Sequence, residues 1–175
     1  MSSTPTGTPT ARTGERADLV QALDTHRHFL RFTVRGLTDE QATQRTTASE
    51  LTLAGLIKHV AHTERTWAEF AQHGASAFGT DNWSVEAWQA EWRLQPGETL
   101  ASVLAEYDEI ARRTDELVAT LDLDTAYPLP EAPWFEPGAV RSVRRTFLHL
   151  IAETSQHAGH ADILRESLDG QKTMG

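Results

Sequence analysis

No cysteine occurs anywhere in the 175 residues. That absence excludes disulfides, cysteine nucleophiles and thiolate metal ligands together. Any metal here must be held by His, Asp or Glu, and any thiol chemistry must use a thiol brought from outside. Positive charge is scarce as well: 16 Lys and Arg stand against 25 Asp and Glu, a formal charge of −9. Such a surface argues against nucleic-acid binding, which needs a basic footprint, and it does not suit an anionic membrane. Long apolar runs are also missing. None approaches the roughly 18–20 residues that span a bilayer, and the N-terminus has no signal-peptide core. A cytoplasmic location is the expectation.

What is present fits one globular domain. Hydrophobic residues make up 39% and charged residues 23%, ordinary values for a folded chain of this length. Residues 1–13 hold Ser, Thr, Pro and Gly with almost nothing to bury and read as a disordered tail. Residues 14–175 read as the single domain. Apolar residues then recur at helical spacing over about 15–35, 52–72, 99–120 and 142–168. Thr38-Asp39-Glu40-Gln41 reads as a capping box for a short helix. Gly36, Gly74 and Gly170 suit helix ends, and Thr52, Thr99 and Ser142 suit helix starts. Residues 74–97 are irregular apart from a short helix near 84–94, and the proline-rich stretch 122–140 is a long connection. With no convincing strand, the pattern predicts an all-α four-helix bundle with long connections after the second and third long helices. Those connections admit an up-down-down-up path as readily as simple alternation.

The last helix carries the chemistry. Positions 150, 153, 154, 157, 160, 161 and 164 share one helical face. Leu150, Ala161 and Leu164 are ordinary core residues there; Glu153, His157 and His160 are not. A polar group facing a core costs about 2–7 kcal/mol unless it is paired or coordinates something. Glu153 and His157 stand at i, i+4 and His157 and His160 at i, i+3, so either pair can grip one cation from adjacent turns. A facing helix must supply a third ligand. His59 lies beside the apolar stripe of the second long helix and is the best placed, whereas His62 points away. Three protein ligands leave coordination positions open, as a catalytic metal requires. Nitrogen and oxygen donors admit Zn²⁺, Ni²⁺, Fe²⁺ or Mn²⁺ alike. The plainer reading is a hydrogen-bonded histidine pair, with Glu153 paired to Arg144 or Arg145.

Two segments sharpen this choice. The run LTLAGLIKHV at 51–60, followed by LHLIAETSQHAGHADILRE at 148–166 and Asp169-Gly170, resembles the DinB/YfiT-like superfamily. It is similar in particular to an actinobacterial branch related to mycothiol-dependent S-transferases and maleylpyruvate isomerase. The resemblance covers residues 15–170. It implies a four-helix bundle holding one divalent metal, zinc first among the candidates, through His59, Glu153 and His157. His160 then falls beside the metal as a substrate-contacting or catalytic group, or as the ligand replacing Glu153. The implied reaction is thiol S-transfer, with mycothiol or a similar small thiol activated at the metal to attack an electrophilic substrate. Metal-assisted hydrolysis, isomerisation and a non-catalytic, stress-associated binding bundle are the alternatives.

The remaining candidates lie nearer the loops. Trp134, flanked by prolines just before the last helix, is the expected substrate-pocket residue. Trp88 and Trp92 are expected to seal the loops or to form a homodimer contact. Arg165, mainly structural, is a second candidate for contact with an anionic substrate. His26, His28, His73 and His149 have no partner at ligand spacing and are expected to be solvated or hydrogen-bonded.

Overall fold

The computed structural model describes residues 14–79 and 85–173. The expected N-terminal tail and Trp83 lie outside the described residues. Four long helices build the molecule: α1 (Glu15–Phe32), α3 (Leu53–His73), α5 (Leu100–Thr120) and α6 (Val143–Asp169), with two short ones, α2 (Asp39–Ala42) and α4 (Val85–Glu91). Their ends follow from local chemistry. Thr52, Thr99 and Ser142 each accept a hydrogen bond from the backbone N–H three residues on, which satisfies a donor left free at the first turn. Thr38 and Gln41 close the expected capping box at α2. Gly170 ends α6 with a φ of 77°, a left-handed conformation that costs glycine nothing.

Contacts between helices set their directions. Glu15 pairs with Arg144, and the carbonyl of Thr33 accepts from Arg165, so α1 and α6 run parallel. Arg31 pairs with Asp108, and the Leu100 N–H donates to Asp39, so α5 runs antiparallel to α1. Lys58–Glu98 and Arg65–Glu106 align α3 with α5. His59 meets His157 while Trp67 meets His149, which makes α3 antiparallel to α6. The path is therefore up-down-down-up. A parallel α3–α5 pair needs a connection that travels back along the bundle, and this return segment carries α4 and Trp92.

The core falls into two apolar clusters. One gathers Leu30, Leu53, Leu56, Ile57, Leu100, Ala161 and Leu164; the other gathers Leu23, Trp67, Phe70, Val118, Phe147 and Leu150. Buried Arg27 and Glu64 form a bidentate pair across α1 and α3, and Arg27 also reaches Asp24 and Asp115. Burial alone would lower the Arg27 pKa, but the Glu64 carboxylate reverses the effect and raises it. One feature was not expected: Ala126–Pro128 (β1) and Val140–Ser142 (β2) pair antiparallel, with Tyr127 opposite Arg141. This small ribbon closes part of the proline-rich connection. Among the described residues no helix is long and apolar enough to cross a membrane.

Candidate metal centre

The antiparallel crossing of α3 and α6 brings His59, Glu153 and His157 together. One donor atom from each lies within 4.8 Å of the others. Glu153 and His157 stand one turn apart on α6, so their side chains project to the same side. The Nε2 of His157 lies 3.1 Å from Glu153 Oε1, and the Nε2 of His59 lies 3.5 Å from the same oxygen. The side chains of His59, Glu153 and His157 are 13%, 22% and 11% exposed, so the cluster is mostly dry with one edge open.

Hydrogen bonding from His157, then from His59, holds the Glu153 carboxyl well below the usual carboxylate range, against a burial effect that would raise it. Glu153 is therefore anionic at neutral pH. Both imidazoles converge on one carboxylate oxygen, and the donor set is nitrogen and oxygen throughout. This chemistry fits a divalent ion of the borderline class. A carboxylate with two imidazoles also leaves coordination positions for substrate.

His160 stands beside this group. Its Nδ1 lies 3.4 Å from the Nδ1 of His157, the ring nitrogen turned away from Glu153. His157 is thus gripped at both nitrogens, which fixes its ring orientation in the way that outer partners fix metal-bound histidines. His160 is half-buried.

Trp92, expected to seal a loop, does more than that. Its indole lies flat on the His59 imidazole with ring centroids 3.6 Å apart and planes 14° apart, and it meets His157 edge-on at 5.9 Å. Together with Trp88, Glu50, Leu51, Gln89 and Arg93 it also lines a groove of about 180 Å³. A larger groove of about 940 Å³ lies between α1 and α5, and none of the three clustered residues lines either groove; the smaller one adjoins them only through Trp92. The signal for Trp92 was Gly55, a glycine inside a helical run one turn before His59, where close packing is the usual reason.

Trp134 is 73% exposed and meets the ring of neighbouring Phe135, which in turn meets Trp67. Arg165 is buried: it donates to the carbonyls of Thr33 and Arg35 and pairs with Asp169. These bonds tie the end of α1 to α6. His62, expected to face water, pairs with Glu91 of α4 at 3.2 Å. His149 packs edge-on to Trp67 at 4.8 Å, and burial followed by the charge of Arg141 lowers its pKa.

A family model described as mycothiol S-transferase matches residues 18–170. Among solved structures, the chain is similar to a conserved protein from Enterococcus faecalis, with a TM-score of 0.70 and 12% identity. That likeness covers 91% of this chain and 100% of the other; at such identity it shows the fold alone. No curated protein matches the chain.

Proposed function

The chain belongs to the mycothiol S-transferase family of DinB/YfiT-like bundles, and from that premise we propose a divalent-metal-dependent thiol S-transferase. The observation that supports this reading is the convergence of His59, Glu153 and His157 on one point at a partly open edge of the bundle. His59 and His157 would hold the ion through neutral imidazole nitrogens and Glu153 through its carboxylate, with zinc the first candidate. When bound, the ion supplies positive charge that lowers a thiol's pKa and favours the thiolate nucleophile at neutral pH.

The chain's own residues do the rest. His160 accepts the Nδ1–H of His157 at its own Nδ1 and so holds that ring, which leaves its Nε2–H as a donor toward the substrate, while the thiol proton leaves to water at the open edge. The thiol sulfur then forms a bond to the electrophilic carbon as the leaving group departs with its electron pair. The Trp88–Trp92 groove offers an apolar wall for the parts of the cosubstrates that do not react. Residues 14–175 act as one domain.

The test is turnover with and without the thiol. Metal-loaded protein, mycothiol and a fluorogenic alkylating electrophile should give the thioether well above the background rate, and His157→Ala should return it to background. Turnover of the electrophile at the same rate with no thiol present would replace this reading with metal-assisted hydrolysis.

A further inference from the structure

The segment GLIKH, residues 55–59, brings the return connection and a candidate metal ligand to one place, and each of its polar or small members touches that connection. At Gly55 an added Cβ would lie 2.1 Å from the Trp92 carbonyl oxygen and 3.0 Å from its carbon. Both are backbone atoms, so a side chain could be admitted only by moving the chain. Lys58 donates from Nζ to the carbonyl of Arg93 at 3.1 Å and pairs with Glu98 at 2.6 Å. His59 carries the Trp92 indole on its face. One turn of α3 therefore holds the connection by its backbone at Gly55 and Lys58 and receives its aromatic ring at His59.

A further detail shows what the ring does. Metal-bound histidines usually donate their second ring N–H to a carbonyl or carboxylate, which fixes the ring's orientation. His157 has such a partner in His160. His59 does not: its Nδ1 is buried without a hydrogen-bond partner among the described residues, and so is Trp92 Nε1. Neither ring is steered by a hydrogen bond at that nitrogen. Their stacked contact remains, and it depends on the backbone approach that Gly55 permits.

We infer that Gly55 and Trp92 are a positioning pair for His59, in which the glycine admits the connection and the indole fixes the imidazole's orientation toward Glu153. The inference rests on His59 being a metal ligand, and it assigns to stacking the task that a hydrogen bond performs at His157. Trp92 touches the ligand rather than the reacting atoms, so it is a positioning residue.

The test reads His59 directly in the metal-free protein and then reads Co²⁺ binding. In the wild type the indole ring current should shift the His59 ring protons upfield in the NMR spectrum. Gly55→Ala leaves the indole in the chain but should abolish that shift and weaken Co²⁺ binding by about 10–100-fold, the range for losing an orienting partner. Trp92→Ala, which leaves α3 intact should Gly55→Ala fail to fold, should weaken binding equally and change the visible Co²⁺ spectrum. The double variant should be no worse than either single one, and Trp92→Phe should recover most of the affinity. An unshifted Co²⁺ affinity and spectrum in Trp92→Ala, or an upfield shift retained in Gly55→Ala, would overturn the pair. If the wild type binds no Co²⁺ at these residues, the metal reading fails, and the ring shift in the metal-free protein still decides whether Gly55 sets the stack.

Discussion

His59 Nε2 on α3 and Glu153 Oε1 on α6 lie 3.5 Å apart, although the two residues come from opposite halves of the chain. The contact exists because α3 and α6 run antiparallel and cross at this level. It joins the two segments whose pattern distinguishes this sequence. The carboxylate and the two imidazoles are already gathered in the structure, and on the proposed metal reading such pre-ordering would lower the cost of arranging ligands around an ion.

The first prediction separates ligand from orienting group. His160→Ala should retain one equivalent of metal but bind it about 10–100-fold more weakly, because His157 loses its outer partner. Glu153→Ala should lose stoichiometric binding. Isothermal titration with Zn²⁺ measures both; a stronger loss in His160→Ala than in Glu153→Ala would make His160 the ligand instead.

The second concerns the buried ion pair. Removing one member leaves an uncompensated charge in the core, so Arg27→Met should destabilise the fold by about 3–5 kcal/mol. Arg27→Met with Glu64→Leu removes both charges and should recover most of that loss. Urea denaturation gives the two values, and additive losses would show that packing rather than charge dominates there.

The third follows from His149, whose folded pKa lies below its ordinary value through burial and the charge of Arg141. The neighbouring Glu153 opposes that shift and Arg145 reinforces it. With the folded pKa depressed, the unfolded chain binds more protons once pH falls below about 6.5. Stability is therefore undiminished above that pH and declines as pH falls toward the depressed value. His149→Gln should flatten the thermal-stability profile between about pH 7 and pH 5. An unchanged slope would assign the acid sensitivity to other groups.

Much of this was readable because it is local. Thr52, Thr99, Ser142 and the Thr38–Gln41 box start helices through bonds spanning three residues, and the observed helices begin where those residues stand. The rhythm of α6 likewise placed Glu153, His157 and His160 on one face. The unread features are non-local. The β1–β2 ribbon consists of three-residue strands with no alternation to detect, and its pairing depends on where the connection is anchored. Trp134 stands among prolines yet is exposed, and Trp92 follows a short helix in a connection yet lies on His59 because Gly55 leaves room for its backbone. Arg165, read mainly as structural, ties the end of α1 to α6 through the carbonyls of Thr33 and Arg35, partners that sequence spacing does not reveal.

The most direct test of the account is the metal content of purified protein, measured by mass spectrometry on the wild type and on His59→Ala, Glu153→Ala and His157→Ala. One divalent ion per chain is expected in the wild type and substoichiometric metal in each variant, with the fold retained by circular dichroism. Full metal content in His59→Ala and His157→Ala would contradict it.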